Sequence, residues 1–424
     1  MAGADTARHG AHGTFARFLG AVGLSNTADG IAVVAWAWTA SLLTRDPLYI
    51  ALLPATLRLP WVFFALPSGI LADRADRRRL IVICDLIRAA AYGVAALAIV
   101  LHLPLAAPAP EGPVHPGLYA ALMALGLIVG CAEVARDNAA QTMLPAIVAS
   151  ERLEWANGWI SSIETVGNNM AGPAVGAFMI ALFLPLPYLA IALALLAAAL
   201  VTAALPGIYQ AEARRVRDWK AEIREGIAFV IRHPMLRFLV ILTGLWNFFA
   251  EMAMIALVLH VQENLGLGAQ AYGLILGAGA LGGVAGGVAV APLLRRMRRG
   301  TLAQWVNLIS AGLFLLIAIA PGAWSVTAIL FLFFGTGVIW NTLSVSYRQR
   351  VVPDAIRGRV NSVYRLFAWG MMPVGLVASG LVVRGAETIL AREVALILPF
   401  VIAGTGILIL SIMAWRPLGQ AFGD

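Results

Sequence analysis

Long apolar runs alternate with short charged turns along this chain, and the sharpest turn sets the frame. An apolar run from Leu59 to Leu71 ends in Ala72-Asp73-Arg74-Ala75-Asp76-Arg77-Arg78-Arg79, and a second begins at once with Leu80-Ile81-Val82-Ile83. Two such runs joined so closely predict a helical hairpin with its tip in water. Short arginine-rich loops stay on the cytoplasmic side of a membrane, so this tip is read as cytoplasmic. A span needs about 20 apolar residues, and the pattern predicts about twelve of them. They run Phe15–Leu43, Tyr49–Ala72, Leu80–Leu103, Gly117–Met143, Trp155–Leu184, Pro187–Leu205, Met235–Val261, Ala271–Leu294, Leu302–Ala320, Trp324–Tyr347, Val360–Val383 and Ala391–Trp415.

One long polar stretch, Gln210–Pro234, interrupts the series. Ala213-Arg214-Arg215-Val216-Arg217-Asp218-Trp219-Lys220 leads into an amphipathic pattern through Ile231, read as a cytoplasmic surface helix joining two halves. The expected organisation is a tail (1–14), a six-helix bundle (15–205), a linker (206–234), a second six-helix bundle (235–415) and a second tail (416–424). A degenerate repeat supports the two halves. Gly287 opens a run ending Leu293-Leu294-Arg295-Arg296-Met297-Arg298-Arg299, as Gly69 opens the first hairpin, 218 positions earlier (287 − 69). Ala291 stands where Asp73 would align. Arg295, Arg296, Arg298, Arg299, Arg348, Arg350, Arg357 and Arg359 fall in turns of one side. The opposite loops, Pro104–Pro116 included, carry almost no base; Arg45, Arg384 and Arg392 are the exceptions. Both termini are therefore expected in the cytoplasm. The fold class is an all-α membrane protein of two pseudo-symmetric bundles, an arrangement that places a transport site between repeats.

Composition narrows the chemistry. The chain has 424 residues, 61% hydrophobic and 12% charged, with a mean hydropathy of +0.85. A soluble domain carries about 25% charge. The net charge of +8 follows the arginine-rich turns and gives no reason to expect nucleic acid. Lys220 is the only lysine, so the phosphate-cradling loop Gly-x-x-x-x-Gly-Lys-[Ser/Thr] is absent, and with it an ATP-driven pump within this chain. Cys84 and Cys131 lie in apolar runs as free thiols, and the histidines are scattered at loops and span ends. No metal or cofactor is expected. The first apolar run carries Asn26 and Asp29 and reads as a span rather than a cleaved leader.

Those two residues belong to a set that apolar spans ordinarily exclude. A charge at the bilayer centre costs about 2.5–3.5 kcal/mol on insertion scales, so it faces a cavity or a partner. Asn26 and Asp29 stand at i, i+3, on one face. The fourth span carries Glu133, Arg136, Asp137 and Gln141, the seventh Trp246, Asn247 and Glu251, the tenth Trp340 and Asn341. Asp29 and Glu251 have no neighbouring base in sequence and read as proton or cation sites. Arg136 with Asp137 or Glu133 reads equally as a satisfied internal pair. Asp85 and Arg88 read as a structural pair near a cytoplasmic end, with gating as the other reading; Arg58 is unassigned. In the fifth span Glu164 precedes Gly167-Asn168-Asn169-Met170-Ala171-Gly172-Pro173, where small residues permit close helix contact and Pro173 kinks the helix. Aromatic residues at Trp36, Trp246, Phe248, Phe249 and Trp340 suit amphiphilic cargo or serve as packing anchors.

Gly69, Asp73, Arg74, Arg77 and Arg78 resemble the Gly-x-x-x-Asp-Arg-x-Gly-Arg-Arg signature of the major facilitator superfamily, with Asp76 in place of its second Gly. Gly172-Pro173-Ala174-Val175-Gly176-Ala177, just after Gly167, resembles the Gly-Pro-x-x-Gly-Gly run of its drug–proton antiporters, with Ala177 for the last Gly. Three further segments resemble bacterial drug and siderophore exporters: Ala135-Arg136-Asp137-Asn138 through Pro145, Arg224-Glu225-Gly226 through Pro234, and Val352-Pro353-Asp354 through Val360. The resemblance covers most of the chain. It implies that the first, fourth, seventh and tenth spans line a central cavity. Asn26, Trp36, Arg136, Asn168, Trp246, Asn247, Trp340 and Asn341 then become candidates for substrate contact, and Asp29, Glu133 and Glu251 for proton coupling. It also implies a cytoplasmic latch of Gly69, Asp73, Arg74, Arg77, Arg78, Asp137 and Arg359. There Asp73 would face the positive end of the eleventh span, and Arg77 or Arg78 would pair with Asp137. The implied function is proton-coupled export of drugs, antibiotics or siderophores by alternating access. The implied setting is the bacterial inner membrane, with a monomer whose partners are its small-molecule substrate, protons and the lipid bilayer. A lipid or lysophospholipid carrier, and a non-transporting receptor on the same scaffold, are the alternatives. No nucleophile–base pair, metal cluster or nucleotide loop supports an enzyme.

Overall fold

Helices that meet protein on one side and lipid on the other are apolar nearly all round, and the predicted spans fold accordingly. The computed structural model describes the backbone of residues 2–149, 152–207, 209 and 219–422. The linker's basic run 210–218 and Glu151 lie outside the described residues, as do the side chains of 1–12, Asp73, Glu154, Asp354 and Arg357. Among the described residues ten helices are long and apolar enough to cross a membrane. They include α1 (Gly13–Leu43).

Three expected spans are broken: Ala391–Trp415 splits into a turn Arg392–Ala395 and a helix from Leu398, and the other two breaks have legible reasons. Tyr49–Ala72 becomes α2 (Pro47–Arg58), a short turn Pro60–Phe63, and α3 (Ala65–Arg74). Pro54 and Pro60 each remove a backbone donor from this stretch. The partner of α3 in the arginine hairpin is α4 (Arg77–Leu101), followed by α5 (Pro116–Ile147). Trp155–Leu184 becomes α6 (Leu153–Thr165), a π-helical turn Val166–Ala171, and α7 (Gly172–Leu182). Pro173 sits in the first turn of α7, where it needs no donor, and the wide turn before it takes up the mismatch. The remaining helices are α8 (Leu186–Ala203), the linker helix α9 (Trp219–Arg232), α10 (Pro234–Leu259), α11 (Ala269–Arg296), α12 (Arg299–Ile317), α13 (Ala323–Val351), α14 (Asp354–Ala386) and α15 (Leu398–Ala421).

The chain forms two compact units. Unit 1 is Met1–Thr44 with Thr56–Arg215, and unit 2 is Arg45–Ala55 with Val216–Asp424. One seam falls inside α2, between Ala55 and Thr56, one residue past Pro54. In unit 1, α4 packs on α5 and α8, and α1 packs on α7 and α8. Its core gathers Phe15, Phe18, Ile81, Met143 and Leu144. In unit 2, α11 packs on α13, α12 on α15, and α10 on α14, around Leu236, Leu239, Trp340, Leu343 and Leu418.

The hairpin turn is only Ala75 and Asp76. Asp76 is the N-cap of α4, its Oδ1 accepting the Arg79 amide at 3.0 Å, which explains an acid where the superfamily carries Gly. Arg77 and Arg78 do not pair with Asp137. The Arg78 guanidinium donates to the Leu205 carbonyl at 2.6 Å, and the Arg77 amide donates to the Tyr209 carbonyl at 3.3 Å. The hairpin is thus tied to the chain leaving α8, whose carbonyls have lost their helical donors.

The three exceptional arginines prove to be neutralised within unit 2. Arg45 contacts Gln262 at 2.7 Å and Glu263 at 3.3 Å, and Arg392 contacts Glu263 and Glu387, each at 2.5 Å. Arg384 lies 3.7 Å from Asp46. Each base at this end is matched by acid, so they add no net positive charge to the loops that carry them.

Candidate functional site

The costliest residues of unit 1 converge. Arg88 on α4 is fully buried and pairs with Asp29 on α1. Its guanidinium also donates to Ser25 Oγ at 3.0 Å and to Asp85 Oδ1 at 3.4 Å. Arg136 on α5 lies 3.7 Å from the same Asp85 oxygen and donates to Asp137 at 3.1 Å. The order along the cluster is therefore Asp29, Arg88, Asp85, Arg136, Asp137. Glu133, one turn from Arg136 on α5, lies within electrostatic reach of Asp29, Arg88 and Arg58, yet makes no ion pair among the described residues. Asp85 Oδ2, Arg88 Nε and Arg136 Nε are buried without hydrogen-bond partners. The network is incompletely satisfied, an expensive condition in a low-dielectric interior.

Asp29 lacks a base in its own span but has Arg88 from α4. The expected Asp85–Arg88 pair forms at 3.4 Å and joins Asp29 to Arg136. Arg136 does form the expected pair with Asp137. A void of about 40 Å³ between α1, α5 and α6 borders the cluster at Arg136 and Asp137, with Gln141, Asn157 and Glu164 on its walls. It is roomy enough for water.

The glycine–proline run of α7 sets the position of α1. A Cβ on Gly172 would stand 2.6 Å from the Gly30 Cα, and one on Gly176 would stand 3.1 Å from the Ile31 Cα. A Cβ on Gly167 would meet the Thr27 amide nitrogen at 2.9 Å. Only glycine lets the two backbones come this close. Asn168, in the π-helical turn, donates to Asn26 Oδ1 at 2.7 Å, and Asn26 donates to the Val22 carbonyl at 2.9 Å. Asn138 on α5 donates to Ser68 Oγ at 2.6 Å and so holds α3. Trp36 is wholly enclosed, its ring 5.5 Å from Tyr92 and 5.3 Å from Tyr188. It packs against these two rings.

In unit 2 the expected residues make separate contacts among the described residues. Trp246 stacks on Phe333 at 5.4 Å, and Asn247 donates to the Ala368 carbonyl at 2.7 Å. Trp340 is buried, its Nε1 without a partner, and Asn341 is exposed. Glu251 is half-buried and within electrostatic reach of Tyr272. Arg359 pairs with Glu225 of α9. The Asp73 side chain, its expected counterpart, is outside the described residues.

Helical units with a glycine-rich helix contact, an arginine hairpin and ionisable groups inside an apolar bundle define a multi-pass membrane transporter of the major facilitator fold, not an enzyme. The chain belongs to the transmembrane secretion effector family (MFS_3), whose model matches residues 10–416. It is 27% identical over 390 residues to the multidrug efflux pump Tap of Mycolicibacterium fortuitum, covering 89% of this chain and 90% of that one. It is also 27% identical over 423 residues to the pump of the same name from Mycobacterium tuberculosis strain H37Rv, covering 96% and 94%. Among solved structures it resembles the nucleoside transporter NupG, with a TM-score of 0.71 at 15% identity over 96% of this chain and 98% of the other. A bacterial homologue of the iron transporter ferroportin gives 0.72 at 16% identity over 96% and 98%. Likeness at that identity establishes the fold alone.

Proposed function

We propose that this chain is a proton-coupled exporter of amphiphilic small molecules, among them drugs, antibiotics or siderophores. It would work by alternating access as a monomer in the bacterial inner membrane, with both termini in the cytoplasm. The observation that carries the reading is the charge balance of unit 1. Among the described residues the carboxyls of Asp29, Asp85, Glu133 and Asp137, with Glu164 across the void, outnumber the guanidiniums of Arg58, Arg88 and Arg136. A buried charge without a partner is costly, so the cluster comes closer to neutral when a carboxyl takes up a proton.

We assign that proton to Glu133, which lacks an ion pair, with Asp29 sharing it through Arg88; Glu251 is the corresponding acid of unit 2. The void at Asp137 offers water a way to Arg136. Proton uptake biases transport only if two conformations hold the proton with different affinity, and a network with unsatisfied nitrogens is one that rearrangement can improve. Cargo contact falls to Asn26, Arg136, Asn168, Trp246, Asn247, Trp340 and Asn341, with Asp73 and the hairpin arginines as the conformational latch. The named activity of the two Tap pumps supports drugs as cargo. In inverted vesicles, an imposed pH gradient should drive uptake of a cationic dye by the native chain. Glu133→Gln and Asp29→Asn should each abolish that response. If both variants keep it, the acids of unit 1 do not couple protons to transport.

A further inference from the structure

Two histidines far from the charge cluster meet at the opposite end of α4 from the arginine hairpin. His102 directly follows α4, and His115 directly precedes α5. Their ring centres are 5.3 Å apart, with planes at 66°. His102 Nδ1 lies 2.7 Å from the Ala98 carbonyl oxygen. That oxygen can only accept, so the proton sits on Nδ1 and Nε2 keeps its lone pair. An imidazole held in this way by a backbone carbonyl is oriented to ligate a metal through its other nitrogen. His115 Nε2 is buried and has no hydrogen-bond partner. Both rings line an open cavity of about 300 Å³ whose further walls, Val114, Leu118 and Ala121 among them, are apolar.

The spacing can be tested against coordination geometry. Two imidazole nitrogens at about 2.0–2.1 Å from one ion, at a tetrahedral angle, put the ring centres roughly 5 Å apart. The observed separation agrees. Imidazole without carboxylate suits zinc, copper or nickel, and not the oxygen-seeking magnesium or calcium. No third histidine, cysteine or carboxylate joins the pair among the described residues, so water would complete the shell.

We propose that His102 and His115 form a two-imidazole binding site for a divalent transition-metal ion. The ion would staple the end of α4 to the start of α5 across the loop between them. The site stands independently of proton coupling. Its test uses the full chain in nanodiscs, purified without a histidine tag, titrated with zinc chloride by calorimetry and with Cu2+ by electron paramagnetic resonance. The native chain should bind one zinc ion here and show nitrogen hyperfine structure from two imidazoles. His102→Gln and His115→Gln should each weaken zinc binding by about tenfold or more and remove one nitrogen from the spectrum. Zinc-free melting curves for both variants report whether they are folded. Native-like zinc binding by either folded variant, or a copper spectrum without nitrogen coupling, would overturn the site.

Discussion

Arg88 is the residue on which the buried network turns, because it alone bridges Asp29 and Asp85. Replacing it with methionine keeps much of the volume but leaves two acids facing each other in a low-dielectric interior. Breaking a buried pair from one side costs about 3–5 kcal/mol. Arg88→Met should therefore lower the melting temperature in detergent sharply, and adding Asp85→Asn should restore part of the loss. An unchanged melting curve for the single variant would mean that water already screens the site. The periodicity of each span put Asp29 on a face, and Asp85 with Arg88 on another. It did not say that those faces meet, because 59 residues separate Asp29 from Arg88 and pairing of helices is set by packing. Glu387, in the turn after α14, offers a pH test. Burial pushes its carboxyl above the ordinary range, and Arg392 opposes the push. A raised carboxyl favours the folded state when protonated and loses that favour as pH climbs through its folded value. Glu387→Gln should thus melt at or above the native temperature at alkaline pH, with the gap closing as pH falls. A variant that melts below the native chain at alkaline pH would show that the pair with Arg392 dominates burial.

The contact between α1 and α7 decides where Asn26 and Asp29 stand. The added Cβ distance at Gly172 leaves no slack, since the atoms it meets are the Gly167 carbonyl oxygen and the Gly30 backbone. Gly172→Val should separate the helices, costing about 1–3 kcal/mol by overpacking and lowering pH-driven transport more than it lowers expression. Paired measurement of melting temperature and vesicle uptake checks this; wild-type uptake in a folded variant would show that the contact positions nothing. This element was half legible. Glycine spacing announced a close helix contact, and Pro173 announced a distortion. The identity of the partner helix and the π-helical form of the break were not, since both depend on the shape of the neighbour. The hairpin was more legible, because charge and turn length act locally there. Even so, Arg77 and Arg78 went to the carbonyls at Leu205 and Tyr209 and not to Asp137, an outcome decided by unsatisfied backbone acceptors that no residue pattern displays.

At the scale of the molecule the arginines give the expected sidedness. Turns holding Arg74 to Arg79 and Arg295 to Arg299 are rich in arginine, whereas Arg45 and Arg392 at loops of the other side contact Glu263, and Arg384 lies near Asp46. Retention of the arginine-rich turns in the cytoplasm depends on bases counted in short loops, and the loop Pro104–Pro116 has none. A chain lacking both native thiols, with Cys84→Ser and Cys131→Ser, gives the background for single cysteines. Arg298→Cys should resist a membrane-impermeant maleimide added to intact cells and react after permeabilisation, while Glu111→Cys should react in both. The reverse pattern would invert the topology and place the two-histidine cavity in the cytoplasm.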